Sequence, residues 1–370
     1  MKVGCVKEIK SHEYRVGLTP ACVEAYIRHG HDVFIENSAG INAGYSDEEY
    51  KAAGAFIVDD KREIFDKCEM IIKVKEPLRQ EYGLLHTGQI LFTFLHLASN
   101  KELTQELLRS GIKGVAYETI ETANGQLPLL KPMSEIAGRL SIQEGAKFLE
   151  KPFGGRGVLL GGVPGVEKGK VAVLGAGVVG TNAVKMAYGL GAKVSVLDVN
   201  INRLEYLDDI FGGRIETLYS SRANIEKILE ESDLLIGAVL RHGAKAPRLI
   251  KRDDLKRMKK GAVIVDVAVD QGGCVETSKP TTHDDPVFVI DDIVHYCVAN
   301  MPGAVARTAT QALTGVTLKY GLEIADNGLE KAARENDEIA AGINLYENKL
   351  TYRAVADDLG LKYSDLRKVI

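Results

Sequence analysis

The chain has 370 residues, enough for two ordinary domains that each bury a core, with 45% hydrophobic and 26% charged side chains and a formal net charge of -4. That balance is usual for a soluble globular protein, and the charge leaves no basic footprint for a nucleic-acid partner. Five scattered cysteines, odd in number and never spaced as CxxC, argue against a disulfide framework or a zinc knuckle and for reduced, mostly buried thiols in a cytoplasmic protein.

The N-terminal MKVGCVKEIK reads as a β-strand that starts at once, with no apolar signal-peptide core. No run of about 18 apolar residues occurs anywhere, so no membrane span is expected. Short β-branched runs then alternate with helical patterns, the signature of βαβ units and parallel sheets. Before residue 130 the predicted strands are Lys2–Val6, Asp32–Glu36, Glu69–Lys73, Ile90–Leu95 and Ile112–Tyr117. Thr19 and Pro20 supply an N-cap and an N1 proline for ACVEAYIRHG, which Gly30 closes. Ser99 or Asn100 caps KELTQELLRSG.

Residues Pro132–Glu150 predict a long connecting helix, and Lys151–Lys170, with seven glycines and two prolines, predicts a loop. A second βαβ series follows, with strands near Lys170–Leu174, Lys193–Leu197, Ile215–Leu218, Leu234–Ile236, Ala262–Val265 and Val287–Ile290. From Gly303 the pattern is helical, alanine-rich to about Ala325 and in shorter helices beyond. The expected architecture is α/β: two Rossmann-like, doubly wound parallel-sheet domains joined by long helices. The helical tail is expected to cross back, so that residues 1–130 and 306–370 form one discontinuous domain and residues 131–305 the other.

The strongest local signal is KVAVLGAGVVGTNAVKMAYGLGAKVSVLD, a strand, glycine turn, helix and second strand in register. Gly175 allows the tight turn, Gly177 lets backbone approach a pyrophosphate, and Gly180 lets the helix pack on the strand. The N–H groups opening the helix, at Val178 and Val179, face the phosphates with the positive end of the helix dipole. Asp198, 23 residues after Gly175, suits two ribose hydroxyls and repels a 2′-phosphate, which favours NAD over NADP. The bland readings are a structural glycine turn and a solvated aspartate at a strand end. Further along, Val239 and Leu240 end one strand, and Asp266-Val267-Ala268-Val269-Asp270-Gln271-Gly272-Gly273 ends another. Ligands of open α/β sheets sit outside such carboxyl ends, so Asp270 is either a site residue or a turn aspartate.

Oxidising or reducing an amino or hydroxy acid needs a cation for the carboxylate and a proton-transfer group for the heteroatom. Arg15 follows the first strand, Lys75 follows another in MIIKVKEP, and His96 ends a third in ILFTFLHLAS. Taken alone, each has a plain alternative: a surface cation, a solvated edge lysine, a core histidine. Together they lie at carboxyl ends of strands, where one cleft collects them. No pair of the other histidines has metal-ligand spacing with an acid or thiol, so no metal site is expected. Cys297, close to a site loop, is the one thiol not assigned to a merely buried role.

These residues sit in KEIKSHEYRVGLTP, KVKEP, LFTFLHLA, KPMSEIAGR, VAVLGAGVVG, VDVAVDQGG and NMPGAVARTAT. Across nearly its whole length the chain resembles the alanine dehydrogenase family, which is related to the NAD-binding part of the proton-translocating transhydrogenases. The resemblance implies a substrate domain made from both chain ends, a central NAD domain and an active site in the cleft between them. It implies that Arg15 and Lys75 hold the substrate carboxylate and keto oxygen, that His96 gives and takes the proton, and that Asp270 is its partner. Ser134, Asp198, Ser220, Val239, Leu240, the run Val267, Ala268, Val269 and Asp270, and the run Val298, Ala299, Asn300 and Met301 would touch NAD, with Arg203 near the adenine ribose. The implied reaction converts L-alanine, NAD and water reversibly to pyruvate, ammonia and NADH, in a homo-oligomer, commonly a hexamer.

The chain departs from the family pattern at Ala306 and Ala309 in AVARTAT, where a proline is expected. It also departs at Lys279, where an arginine contact to phosphate is expected; lysine keeps the charge but not a bidentate fork. Rival readings are a transhydrogenase-like NAD module without substrate chemistry, a saccharopine-type dehydrogenase and a non-enzymatic NAD-binding scaffold.

Overall fold

Fully buried aliphatic strands such as MII at Met70–Ile72 and LLIG at Leu234–Gly237 need cover on both faces, and crossover helices supply it. In the computed structural model, which describes residues 1–239 and 246–370, such strands build two sheets. The chain divides into two units, Met1–Met133 with Gly303–Ile370, and Ser134–Pro302.

The first unit holds β1 (Lys2–Cys5), β2 (Asp32–Glu36), β3 (Phe56–Val58), β4 (Met70–Ile72), β5 (Ile90–Thr93) and β6 (Lys113–Ala116), all parallel in the order β3-β2-β1-β4-β5-β6. The second holds β7 (Lys170–Leu174), β8 (Lys193–Asp198), β9 (Glu216–Tyr219), β10 (Leu234–Gly237), β11 (Val263–Asp266), β12 (Val287–Ile290) and β13 (Ile293–Tyr296), in the order β9-β8-β7-β10-β11-β13-β12. Leaving out the antiparallel strands at their edges, both sheets follow the doubly wound order 3-2-1-4-5-6. Each reverses direction once, between β1 and β4 in one and between β7 and β10 in the other.

Neither sheet is purely parallel. β12 pairs antiparallel with β13, and β14 (Ile343–Tyr346) and β15 (Lys349–Leu350) extend the first sheet antiparallel beyond β6. The sequence reading missed β3, β13, β14 and β15, and it assigned the last two to helix. β3 is a three-residue edge strand, too short for a periodic signal. The other three belong to hairpins whose tight turns are Asp291-Asp292 (φ 50° and 64°) and Glu347-Asn348 (φ 44° and 67°). Left-handed pairs of this kind match strand twist, but they are normally signalled by glycine.

Capping follows the sequence closely. Thr19 Oγ1 accepts from Cys22 N at 3.3 Å to open helix Pro20–Arg28. Of the two candidates for helix Lys101–Ser110, Asn100 is the cap, accepting from Leu103 N at 3.0 Å, while Ser99 Oγ donates to the His96 carbonyl. The connecting helix is Lys131–Phe148, ending two residues earlier than expected. Among the described residues no helix is long and apolar enough to cross a membrane.

Gly138 marks where the connecting helix meets the glycine-turn helix: a Cβ there would stand 2.1 Å from the Val179 carbonyl oxygen. Backbone cannot yield as a side chain does, so Gly138→Ala is expected to cost about 1–3 kcal/mol of stability, read by denaturant unfolding. An unchanged midpoint would show that the two helices are not in contact at Gly138.

Candidate active site

Because β1, β4, β5 and β6 are parallel, the segments leaving them emerge at one edge of the first sheet. The segment after β1 carries Arg15, which is almost fully buried. Its Nε and Nη2 grip the two oxygens of buried Glu13 at 2.6 and 2.5 Å, and Nη1 lies 3.0 Å from Met133 Sδ. A paired guanidinium of this kind is fixed in place and keeps its charge away from water.

Lys75 leaves β4 and His96 leaves β5, and the structure brings them together: Lys75 Nζ lies 3.4 Å from His96 Nε2. Burial pushes the Lys75 amine below its ordinary range, and the Arg15 charge adds to the shift. Burial likewise pushes the His96 imidazole down; Glu118 opposes this and the Lys75 charge reinforces it. Against a protonated Lys75, which only donates, His96 Nε2 would be the acceptor and the ring proton of the neutral imidazole would sit on Nδ1.

His96 also stands in the left-handed region at φ 49°, ψ 37°, which non-glycine residues avoid. Glu118, just past β6, holds that turn. It accepts from His96 N at 2.6 Å and from Leu95 N at 3.2 Å. The Phe94 ring stacks on the imidazole, centroids 5.7 Å apart and planes 7° from parallel.

In the second unit the glycine turn follows β7. Gly175 has φ 99°, and a Cβ on it would meet the Ala238 carbonyl oxygen at 2.5 Å. Gly180 is tighter still, with a Cβ position 1.7 Å from the Gly175 oxygen. Gly177 is the opposite: nothing lies within 4 Å of where its Cβ would stand, and it and Val178 are exposed at the start of helix Val178–Gly189. Two of the three glycines are thus demanded by packing, and the third leaves open space in front of a helix N-terminus.

Asp198 ends β8, half-buried. Its carboxylate accepts from Ala176 N at 2.6 Å and from Asn200 N at 2.8 Å, so it is bound into the turn itself. Arg203 buttresses the same turn, donating to the Ala176 carbonyl and Thr181 Oγ1, each at 3.0 Å. Ser220 N donates to the Asp198 carbonyl at 3.0 Å. Val239, half-buried, follows β10, and Leu240 lies outside the described residues. Val267 and Ala268 follow β11, and Val269 and exposed Asp270 lie in the short turn Val269–Gln271. Lys279 packs its ammonium 4.6 Å from the centre of the Phe288 ring. Val298 and Ala299 pair with Thr281, Asn300 takes φ 61°, and Met301 is buried. Ser134 lies in the connecting helix.

Several carboxylates went unread in the sequence. Glu13 and Glu118 were not singled out and Asp266 was named only within a strand-end run, yet each is a fixed acceptor. Asp266 at the end of β11 collects Ala268 N, Cys274 N, Val275 N and, at 2.6 Å, Ser278 Oγ. The left-handed Gly272 and Gly273 fold that loop back on it, and a Cβ on Gly273 would reach Asp266 Oδ2 at 2.8 Å. All five cysteines are free and buried, and burial beside Asp266 pushes the Cys297 thiol up to about 11, the range of an inert thiol.

Family comparison agrees with this arrangement. The N-terminal domain of the alanine dehydrogenase/PNT family matches residues 4–137, and the C-terminal domain of the same family matches residues 141–353. The chain belongs to the alanine dehydrogenase family. An alanine dehydrogenase of Halomonas elongata is 55% identical over the full length of both chains, one of Methanococcus maripaludis is also 55% identical over both, and one of Mycolicibacterium smegmatis is 52% identical over 99% of this chain and 98% of its own. A solved L-alanine dehydrogenase superposes with a TM-score of 0.95 at 54% identity, covering 97% of this chain and 99% of that one. A transhydrogenase from Sinorhizobium meliloti, at 23% identity and a TM-score of 0.83 over 96% of this chain and all of its own, shares the fold. The chain is therefore an oxidoreductase of a family that uses pyridine nucleotides, with a Rossmann-type second unit.

The depressed imidazole is directly measurable. In an NMR titration of the apoprotein, the ring signal lost in His96→Gln is expected to show its midpoint below the ordinary 6.5. A midpoint at or above that value would contradict the burial described.

Proposed function

We propose that this chain catalyses the reversible, NAD-dependent oxidative deamination of L-alanine. L-Alanine, NAD⁺ and water give pyruvate, ammonium, NADH and a proton. The observation that carries the reading is the Lys75–His96 pair, 3.4 Å apart, within the field of the buried Arg15. A transhydrogenase-like module would have no use for these three groups together.

The second unit suits the dinucleotide on its own geometry. The open space at Gly177 and the exposed first turn of helix Val178–Gly189 leave backbone N–H groups for a pyrophosphate. The Asp198 carboxylate, already anchored to the turn, would accept from ribose hydroxyls and would repel a 2′-phosphate, which makes NAD the coenzyme. Ser134, Ser220, Val239, Leu240, Val267 through Asp270, Lys279 and Val298 through Met301 would complete its contacts, with Arg203 supporting the turn beneath the adenosine. The bound coenzyme supplies hydride acceptance and return.

The rest is work for this chain's side chains. Arg15 holds the substrate carboxylate through its guanidinium. Lys75 donates to the oxygen of the keto acid. His96 Nε2 takes a proton from water on the deamination path and returns it on the amination path, and its neutral resting state suits the first role. Asp270 stabilises the ammonium of the substrate. We further assign the enzyme to the cytoplasm and to a homohexamer, as the family resemblance implies.

Purified protein is expected to oxidise NADH when given pyruvate and ammonium together, and to favour NADH strongly over NADPH. His96→Ala is expected to lower kcat by about 10²–10⁴, the usual contribution of a general acid–base. Near wild-type turnover in that variant would remove the proton-transfer role, and no wild-type turnover would remove the assignment. Asp198→Gly is expected to raise kcat/KM with NADPH relative to NADH; an unmoved ratio would show that another group sets the preference.

A further inference from the structure

Beside the Lys75–His96 pair lies a buried charge cluster that the chemistry above does not use. Lys73, just past β4, has no solvent exposure, and its ammonium sits between Glu8 Oε2 at 3.2 Å and Glu81 Oε1 at 3.1 Å. Both carboxylate side chains are themselves almost wholly buried, Glu8 at 3% and Glu81 at 1% exposure. Three buried charges carry a large desolvation cost, and a hydrophobic trio of similar volume would commonly serve stability as well or better. Stability alone is a poor account of them.

The other oxygens show what the cluster does. Glu8 Oε1 accepts from Val74 N at 2.6 Å and from Lys75 N at 3.3 Å. Glu81 Oε2 accepts from Leu78 N at 3.0 Å. On the far side, Thr93 Oγ1 donates to the Lys75 carbonyl at 3.1 Å, and Phe94 N donates to the Val74 carbonyl at 3.3 Å. Lys75 therefore has its N–H fixed by Glu8 and its carbonyl fixed by Thr93, in a segment with no regular structure of its own. Glu8 comes from the segment leaving β1 and Lys75 from the segment leaving β4, so this contact also ties the two sides of the strand-order reversal.

We propose that Glu8 is a positioning residue for Lys75: anchored by the Lys73 ammonium, it fixes the backbone from which the Lys75 amine meets His96 Nε2 and the substrate oxygen. The role rests on the function proposed above. Burial works against the Lys73 charge, but the two carboxylates outweigh it and hold the ammonium well above the ordinary lysine range, so the anchor stays charged. The geometry also says why a neutral amide cannot replace Glu8. Its NH₂ must face either the Lys73 ammonium or the Val74 and Lys75 N–H groups, and each choice sets donor against donor.

The test compares Glu8→Gln and Glu8→Asp with the wild-type enzyme, measuring KM for pyruvate, KM for NADH, kcat against pH, and thermal midpoint. Both variants are expected to raise KM for pyruvate about tenfold or more, the scale of a lost hydrogen bond to a charged group, and to move the pH profile, while KM for NADH stays put. Glu8→Asp keeps the charge beside Lys73 but withdraws the oxygen from the backbone, so it is expected to retain more stability than Glu8→Gln without recovering pyruvate KM. A lowered thermal midpoint with pyruvate KM and pH profile unchanged would make the cluster purely structural and overturn the proposal. If neither variant folds, Thr93→Val removes the opposite tether at constant volume and is expected to raise pyruvate KM; an unchanged KM overturns the proposal. An inactive wild type overturns the functional reading and this role with it, whereas an active wild type with indifferent variants overturns this role alone.

Discussion

A buried ammonium in a protein interior dictates what surrounds it, because an uncompensated charge there costs several kcal/mol. Lys73 meets that demand with Glu8 and Glu81, and each carboxylate then has an oxygen left to satisfy, which it does on the backbone of residues 74–78. Electrostatic necessity thus becomes backbone geometry. The loop after β4 is held at Lys75 by these carboxylates together with the last backbone bonds to the β5 side, Lys73 N to the Phe92 carbonyl and Phe94 N to the Val74 carbonyl. A similar device recurs at His96, whose left-handed turn is held by Glu118 through two backbone N–H groups. In both places an anionic side chain from a neighbouring strand end does for an irregular segment what a sheet ladder does for a strand.

The second unit solves the corresponding problem with neutral backbone. Gly175 and Gly180 bring a turn and a helix closer than any Cβ allows, and Asp198 and Arg203 pin the same turn from the side. Since Asp198 is already hydrogen-bonded to the turn, the acid that would read the ribose and the backbone that would read the pyrophosphate move as one piece. Binding then orders little that is not ordered beforehand, which lowers the entropic cost of association.

Much of this was legible from residue order, and the exceptions have a common cause. Parallel strands, caps and the glycine turn are local, so periodicity and turn chemistry reveal them. The hairpins at Asp291-Asp292 and Glu347-Asn348 were missed because their two-residue left-handed turns carry no glycine, the usual signal for such a turn. Arg15, Lys75 and His96 stood out because cations at strand ends suggest a ligand. Glu8, Glu13, Glu118 and Asp266 did not, because a glutamate or aspartate in a polar motif looks solvated until its N–H partners are known. Glu8 lies 65 residues from the Lys73 ammonium it accepts from, and no periodic signal spans that gap.

Desolvation also shapes how the two titrating groups share protons. Lys75 and His96 are both pushed toward their neutral forms by burial, with neighbouring positive charge adding to the shift at each and Glu118 opposing it at His96. At 3.4 Å, a proton on one makes a proton on the other harder to hold, so they titrate as a pair rather than singly. A substrate carboxylate gripped by Arg15, in the role proposed for it, brings negative charge into this space, and negative charge favours the protonated state of both groups. In the proposed mechanism, loading the substrate would raise the proton affinity of His96 at the step where water gives up a proton. Surface-exposed groups at the same spacing would be screened by solvent, and the coupling would be lost. The burial that makes these charges costly is thus what would make the imidazole respond to a nearby carboxylate.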